Sequence, residues 1–520
     1  MPTYDRRSFL QLSGQGLGLS AFATLLPSCG GDDSSGSEAP APSPTPTPDP
    51  GPQAVLPAPA PEVLMLKRTS FGPSKASHAE IQALGIPGYL EQQLNPQSID
   101  TTALENTVAQ RYPRTLQSIP VQRAGFPDNQ QSTIEQLLQA RLLRAFTSPA
   151  QLLETMVEFW LDHFNVDLRN GVASIFHGSW ERDTIRAHTF GAFRDLLGAT
   201  ARAPAMLYYL DNFLNVASSP QENYARELLE LHTLGVDGGY TETDIKEVAR
   251  CFTGWTLDRE TGQFRYLPAI HDNGSKVVLG QFIPAGGGQS DVETVLDILA
   301  THPATARHLA TKLCRRYIGD TPPIAAIDAV EQSFVATKGD MRSCLRTLLQ
   351  SAEFAGSADQ KFARPMEFLG QMWRAMPPAS GFPQGNDARI LLALLDQLGQ
   401  APYFWPAPNG YPDIASYWAS TSGLLNRWRQ SLLPNVPQFS NLVDVQALLG
   451  EARTQEDMVI HLEAGLLFRS LSDTDRELVL SYLQEQTGFA STTELPASAI
   501  STVGGLTASL LMSSVYFQLR

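Results

Sequence analysis

Cysteine is scarce in this sequence, which contains four in 520 residues. So low a content excludes a disulfide-stapled fold, because such frameworks use many closely spaced cysteines in short secreted chains. Cys251 falls among apolar residues of a predicted helix, so we expect it to be a buried thiol. Cys314 and Cys344 are free to pair in an oxidising compartment, but nothing in the sequence requires a disulfide between them.

Positive charge and short catalytic signatures are also lacking. The chain has 38 Lys and Arg against 53 Asp and Glu, a formal net charge of −15. This balance disfavours nucleic acid as a partner, because phosphate backbones bind basic surfaces. The sequence contains no HExxH, ExxH, CxxC, GxSxG or Walker-type glycine loop, so no motif alone fixes a metal, hydrolase or nucleotide site.

Residues 1–28 carry the pattern of an export signal. Arg6 and Arg7 are followed by Ser-Phe-Leu and by an apolar stretch, interrupted by glycines, that ends at Pro27. The adjacent arginines ahead of a mildly apolar run resemble the twin-arginine signal. We therefore predict that the protein is exported to the periplasmic side of the cell envelope.

Cys29 is the predicted lipidation site. Leu-Pro-Ser before this cysteine resembles a lipobox, after which the thiol carries diacylglycerol, although Pro27 departs from the usual small or aliphatic residue. The alternative is an ordinary signal peptide with an unmodified cysteine. Acyl chains at Cys29 would make the membrane a partner of the protein. Gly30, where inner-membrane lipoproteins carry aspartate, favours the outer membrane.

A tether and a globular body follow the predicted anchor. Residues 29–61 are rich in Gly, Ser and Asp and then in Pro alternating with Ala, Ser and Thr, a composition typical of a disordered, partly polyproline linker. We expect residues 62–520 to form the body.

Apolar residues of the body recur mostly every three or four positions, which predicts a mainly α fold, a large multi-helical globular body with one small β-hairpin. The hairpin is predicted to pair residues 264–267 with 276–279 around the loop that contains His271. The predicted helices lie near 75–95, 131–148, 150–166, 180–200, 219–235, 241–255, 290–317, 323–350, 361–375, 387–398, 414–430, 455–468, 473–486 and 503–518.

Several segments, in order from about residue 63 to the end, resemble the bacterial family known as domain of unknown function 1800. They are RTSFGPS at Arg68–Ser74, FWLDHFNV at Phe159–Val166, FRDLLGATARAPAMLYYLDN at Phe193–Asn212, ENYARELLELHTLGV at Glu222–Val236, GYTETDIKEVARCFTGW at Gly239–Trp255, HDNGSKVVLG at His271–Gly280, HPATARHLATKLCRRYIGD at His302–Asp320, and GYPD at Gly410–Asp413. The resemblance implies an exported protein, often encoded beside a co-exported sulfatase-like protein, and no established activity. Asp162 stands where many relatives carry Asn.

A helix over 222–234 carries the first candidate site. At 100° per residue, Glu222, Asn223, Arg226, Glu227, Glu230 and Thr233 share one polar arc, and Tyr224, Leu228, Leu231 and His232 lie opposite. One interpretation is a solvated face with a ladder of ion pairs. The other is a polar cluster that lines a cleft, with the carboxylates of Glu227 and Glu230 available for metal binding or acid–base work and Arg226 as a further catalytic candidate.

Histidines and a nearby aspartate form a candidate metal site. His163 and His232 fall on the apolar faces of their predicted helices, whereas Glu154, Glu158 and Asp162 face away from that side. Such histidines are either hydrogen-bonded core residues or ligands of zinc or iron. The full candidate ligand set is His163, His188, His232, His271 and Asp272.

Two loops offer further candidates. Lys276 follows His271 and Asp272 at a spacing that suits anion binding, the alternative being a turn stabilised by Asp272 and Gly274. The aromatic and proline-rich stretch is suited either to stacking on a sugar or to packing as a loop. Its residues are Tyr403, Phe404, Trp405, Pro406, Pro408, Tyr411 and Pro412.

Two functional hypotheses remain from the sequence. The first is a metal-dependent envelope enzyme, a hydrolase or oxidoreductase acting on extracellular polymer. The second is a non-catalytic helical scaffold or binding module for the co-exported sulfatase-like partner. A structure is the most useful observation, because convergence of the named histidines and acids within ligand distance cannot be read from the sequence.

Overall fold

The computed structural model describes residues 56–436, 439 and 441–520. Arg6, Arg7 and Cys29 lie outside the described residues, as does most of the predicted tether. Ala58–Arg520 forms one compact unit. Within the described part of the chain, no helix has both the length and the apolar character needed to cross a membrane.

Helices dominate the described residues, which confirms the predicted mainly α fold. In the first half, the α-helices are Pro61–Thr69, Lys75–Leu94, Thr102–Arg111, Ile119–Ala124, Gln130–Thr147, Gln151–His163, Ser174–Ser179, Phe193–Arg202, Pro204–Tyr209, Glu222–Glu227 and Glu242–Cys251. In the second half, they are Gln289–Thr301, Pro303–Tyr317, Ile324–Ala336, Met341–Leu349, Ala352–Ala355, Pro365–Ala375, Asn386–Gln397, Ala415–Trp418, Thr421–Ser431, Gln446–Leu449, Gln455–Leu462, Asp473–Thr487, Ala497–Ser513 and Val515–Gln518.

Departures from α-helical hydrogen bonding occur at several helix ends and junctions. Within the residues that the structure describes, three segments have the wider i→i+5 hydrogen bonding of a π-helix: Trp180–Arg186, Leu228–Thr233 and Glu463–Leu467. The 3₁₀ turns are Pro96–Ser98, Pro113–Leu116, Asn212–Leu214, Pro268–Ile270 and Leu433–Asn435. Two of the π-segments fall within helices that carry candidate residues, so they change which side chains share a face.

Local sequence explains where the helices begin. Thr241 accepts a hydrogen bond from the backbone N–H of Asp244, whose side chain accepts in return from the N–H of Thr241, a reciprocal capping box. Pro204 begins Pro204–Tyr209 and separates this helix from Phe193–Arg202, because proline has no N–H and disfavours a helical residue before it.

The described residues contain two small hairpins instead of the single predicted one. β1 (Trp255–Leu257) pairs with β2 (Phe264–Tyr266), and β3 (Lys276–Val278) pairs with β4 (Gln281–Ile283). Both predicted strands exist, but the predicted pairing between them was wrong. Phe264–Tyr266 instead pairs with the strand before it across the loop 258–263, and Lys276–Val278 pairs with the strand after it across the two-residue turn 279–280. The two-residue turn costs less loop entropy than the predicted connection over 268–275.

The turn of the second hairpin explains why this pairing was missed. Leu279 and Gly280 both have positive φ, 49° and 75°, as a two-residue hairpin turn requires. Leucine rarely adopts that conformation, so the sequence carries no recognisable turn signal.

Buried arginines connect distant parts of the core. Arg68 is almost fully buried and donates to the carbonyl oxygens of Tyr317, Ile318 and Ser357. The first two carbonyls lie at the C-terminal end of Pro303–Tyr317, where helical acceptors lack intrahelical partners. Arg68 therefore joins the start of the body to a helix some 250 residues later in the sequence.

All cysteines of the described part are free and buried. Cys251, Cys314 and Cys344 form no disulfide, and burial raises the pKa of each thiol to about 12. They behave as small apolar core residues.

Candidate functional site

The polar arc predicted on residues 222–234 is interrupted by the π-segment Leu228–Thr233. A π-turn holds more residues than the 100° steps assume, so the later side chains rotate away from their predicted positions. Thr233, predicted on the polar side, is fully buried, and its hydroxyl donates to the carbonyl of Leu228 at 2.6 Å. Leu231, predicted on the apolar side, is only half-buried.

The acidic and basic side chains of this helix lie at the surface. Arg226 bonds to Glu242 of the next helix at 2.8 Å and reaches Glu222 at 3.5 Å. Burial, reinforced by Glu230, raises the pKa of the half-buried Glu227. The contacts of Arg226 agree with a solvated, ion-paired face, in which its nearest partner is Glu242 of the next helix. A catalytic role for Arg226, Glu227 and Glu230 stays a prediction.

His163 and His232 do meet in the core, as their predicted faces suggested. Their ring centres are 6.1 Å apart. His163 Nε2 lies 3.1 Å from the carbonyl oxygen of His232, so Nε2 carries the hydrogen. The Nδ1 atom of His163 therefore accepts a hydrogen bond from Lys312 Nζ at 2.8 Å.

Two residues that the sequence reasoning missed complete this cluster. Lys312 and His308 lie four positions apart in helix Pro303–Tyr317, and the His308 ring centre is 6.1 Å from that of His163. The i,i+4 spacing places both on one helix face, a signal already present in the HPATARHLATKLCRRYIGD segment. No local pattern indicates, however, that this face meets His163.

Burial keeps the clustered imidazoles neutral. Desolvation, followed by the charge of Lys312, lowers the pKa of His232 to about 3 and that of His163 well below its ordinary value. Burial also lowers the pKa of His308 to about 4. His232 Nε2 is buried and has no hydrogen-bond partner. Among the described residues, no group of three or more His, Cys, Asp or Glu side chains is arranged to hold a metal ion.

The other candidate ligands are each held by protein groups. His188 Nδ1 bonds to the carbonyl of Thr184 at 2.8 Å, within its own helical turn. His271 is buried, with Nδ1 2.8 Å from the carbonyl of Thr253 and Nε2 3.3 Å from Asp291 Oδ2. In the described part of the chain, neither His188 nor His271 hydrogen-bonds to the cluster around His163, so the predicted five-residue set does not form one bonded site.

The loop after His271 is a stabilised turn. The ammonium of buried Lys276 donates to Asp291 Oδ2 at 2.7 Å and to the carbonyls of Gly274 and Asp272. These three bonds use all three donors, which leaves none for an anion. Asp272 accepts from Arg250 at 2.7 Å and from the N–H of Gly274 at 2.8 Å. Arg250 is the main reason that the pKa of Asp272 is lowered to about 2.

The carboxylates of helix Gln151–His163 form a buried ladder. Glu154 pairs with Arg141 at 3.0 Å and with Arg186 at 2.7 Å. Burial alone would raise the pKa of Glu154, but Arg186 and Arg141 outweigh it, so this pKa is lowered. The acidic face of this helix is therefore buried against other segments, whose arginines balance its charge.

Arg364 joins the next two turns of this ladder. Its guanidinium pairs with Glu158 and, at 2.7 Å, with Asp162. Burial raises the pKa of Asp162, Arg364 opposes that rise, and Glu158 adds to it. Arg364 thereby links this ladder to the start of helix Pro365–Ala375.

A small polar cavity of about 30 Å³ lies beside Glu158 and Asp162. Glu158 Oε2, His177 Nε2 and Trp180 Nε1 are buried without a hydrogen-bond partner, and all three residues line it. His177 Nδ1 bonds to the carbonyl of Ala173, so Nε2 is an acceptor and Trp180 supplies a donor. This complementarity and volume suit one or two water molecules.

The aromatic and proline-rich stretch closes this cavity as a packed loop. Tyr403 and Tyr411 line it and are buried. Asn165 donates to the carbonyls of Trp405 and Ala407 at 2.9 and 2.8 Å. Gly410, at φ 70°, lies against the backbone of Asp162, where a Cβ atom would clash with the carbonyl. The buried part of the stretch therefore serves packing.

A second, open pocket of about 420 Å³ lies at the surface. It is bordered by the π-segment Trp180–Arg186, the junction between Phe193–Arg202 and Pro204–Tyr209, and the start of β2. Its volume falls in the range of small-molecule sites. No candidate residue from the sequence reasoning lines it.

Comparison with known proteins identifies a family but no function. The family described as "Protein of unknown function (DUF1800)" matches residues 64–519. No curated protein and no solved structure matches the chain.

Proposed function

Because the chain belongs to the DUF1800 family, which carries no assigned activity, we propose its function from its own surfaces: an exported, lipid-anchored envelope protein whose body is a non-catalytic binding module. The proposed partner is the co-exported sulfatase-like protein. Arg6 and Arg7 support export, Cys29 supports lipid anchoring, and Gly30 supports the outer membrane.

The binding role rests on helix Thr421–Ser431, which exposes apolar side chains and buries polar ones. Leu425 and Trp428, with Leu432 just beyond its end, are 44%, 49% and 50% exposed. They recur at i, i+3 and i+7 and therefore share one face. We call these three residues the exposed stripe.

The opposite face of this helix is polar and buried. Arg427 donates to Gln518 at 3.0 Å and to the carbonyl of Ala363 at 2.7 Å, and its guanidinium lies 4.4 Å from the centre of the Phe362 ring. Gln430 donates to the carbonyl of Leu394. A helix that buries arginine and exposes tryptophan and leucine has the polarity of an interface, where such apolar groups are enriched.

A binding measurement with matched surface variants tests this proposal. The purified sulfatase-like protein is titrated onto the mature protein, and Trp428→Glu is expected to weaken association by about tenfold or more, as truncation of an aromatic anchor does. Ile324→Glu is the control, because Ile324 is 68% exposed on helix Ile324–Ala336, which packs on other helices of the body, Pro303–Tyr317 and Met341–Leu349. Equal binding by wild type and both variants would argue against the stripe, and no association at all would argue against this partner.

A metal-dependent enzyme acting on extracellular polymer is the second candidate function. The adjacent neutral imidazoles of His163 and His232 favour it, together with the unpartnered Nε2 of His232. His163 Nδ1 becomes available to zinc or iron only if Lys312 moves away. Elemental analysis of protein purified from its own host tests this role. A stoichiometric metal, lost in His163→Ala, would favour the enzyme, and its absence would favour the binding module.

A further inference from the structure

The open pocket has an apolar wall made mainly of small side chains. Helix Phe193–Arg202 ends just before Pro204, and Ala199 and Ala203 border the opening there. Ile119 and the ring of Phe264 complete this wall. The alanines leave the space, and the half-buried Phe264, whose ring centre lies 5.0 Å from that of Trp255, adds an aromatic side chain to the lining.

The pocket is also lined by neutral hydrogen-bonding groups. Ser179 and the largely buried Thr184 come from the segment around Trp180–Arg186, and Gln263 precedes β2. The Ser179 hydroxyl donates to the carbonyl of Phe176 at 2.9 Å and can still accept a hydrogen bond, whereas an amide both donates and accepts. Gln263 is exposed, so its amide is accessible to a ligand from solvent.

The charged residues at the rim are already paired within the protein. Asp183 bonds to Arg182 at 2.6 Å. Arg202 pairs with Glu293, and its guanidinium lies 5.2 Å from the Trp255 ring centre. One acid and one base, each with a protein partner, give no preference for an anion or a cation.

We propose that this pocket binds a neutral sugar residue of an extracellular polysaccharide. A pyranose ring presents an apolar face to an aromatic surface and hydroxyls around its edge, which matches Phe264 and the neutral lining groups of Ser179, Thr184 and Gln263. The volume of about 420 Å³ accommodates one or two such rings. This inference goes beyond the binding module, because the pocket and the exposed stripe are built from separate residues.

Binding of defined oligosaccharides tests the proposal. Cellohexaose, maltohexaose and chitohexaose are titrated into the full-length mature protein by calorimetry, with oligogalacturonate as an anionic comparison. We expect saturable binding of a neutral probe and weaker binding of the anionic one. Phe264→Ala and the pocket-filling Ala199→Phe should each weaken binding by about tenfold or more.

The controls separate pocket loss from misfolding. Phe282→Ala removes an aromatic side chain that is 67% exposed on the other hairpin, and it should bind like wild type. Gln263→Ala removes the amide of an exposed residue. It should weaken sugar binding without disturbing the packing of the core. Failure of every neutral probe to bind would overturn the proposal, as would preference for oligogalacturonate or undiminished binding by Ala199→Phe. An Ala199→Phe variant that still binds sugar but no longer binds the sulfatase-like partner would also overturn the proposal.

Discussion

At the scale of single residues, the imidazole of His232 shows how burial sets protonation. Its folded-state pKa of about 3 lies far below the roughly 6.5 of an unfolded histidine. Between these two pKa values, the His232 imidazole is protonated in the unfolded chain and neutral in the folded protein. The stability from this group is fully present above about pH 6.5 and is lost as the pH falls toward 3.

His232→Gln is predicted to flatten the acid side of the stability curve. Between about pH 6 and pH 4, wild type should lose up to about 1.4 kcal/mol per pH unit more than the variant, one proton's worth of linkage. Urea unfolding at several pH values measures both free energies, and their difference isolates His232 from His163, His177 and His308. Parallel curves for the two proteins would show that His232 is not held neutral in the fold.

The residues that carry the family resemblance mostly make interior contacts. Arg68 binds backbone carbonyls, Asn165 fixes the loop at Trp405, and Asn212 donates to the carbonyl of Trp255 at 2.9 Å. Tyr411 donates to the carbonyl of Ala401 at 2.6 Å. The contacts of Arg68, Asn165 and Asn212 join segments that are far apart in the sequence, whereas the Tyr411 bond closes a local loop.

At the scale of single elements, helix Gln151–His163 is predicted to depend strongly on its carboxylates. Glu154→Gln removes the charge that balances Arg141 and Arg186, both largely buried. Breaking a buried pair in this way costs about 3–5 kcal/mol, because an uncompensated charge is left inside. Denaturant unfolding at pH 7 measures the loss.

Glu242→Gln is the matched control for that prediction. It also breaks a carboxylate–arginine pair, with Arg226, but the Glu242 side chain is 68% exposed. Water and salt screen such exposed pairs, so breaking this one should cost much less stability than breaking the buried one. Similar losses for Glu154→Gln and Glu242→Gln would contradict the buried ladder.

Helix faces explain what the sequence predicts well and where it fails. Spacing alone placed His163 and His232 in the core, because both follow the apolar residues of their helices. It misplaced Thr233, because a π-turn leaves no clear signal in residue type. It also could not show that Lys312 meets His163, because a contact across 149 residues depends on how helices pack.

At the scale of the whole molecule, the proposed binding function depends on the predicted lipid anchor and tether that would attach the body to the membrane. The exposed stripe and the open pocket are both features of the body, whereas the predicted anchor and most of the tether precede it. A polyproline linker of about 32 residues reaches on the order of 100 Å. Such a reach would let one anchored body contact both a partner protein and polysaccharide beyond the bilayer.

Cys29→Ser is predicted to move the protein from the membrane to the soluble periplasmic fraction. Acyl chains on Cys29 would supply the stable attachment, and no described helix can replace them as a membrane span. The melting temperature of the released body should equal that of wild type, because the tether has almost no apolar surface to bury. Cys251→Ser is the control: it changes a fully buried core thiol and should remain membrane-bound. If Cys29→Ser protein stays with membranes after a high-salt wash, attachment does not depend on lipid at Cys29, and the exposed stripe becomes the element to mutate next.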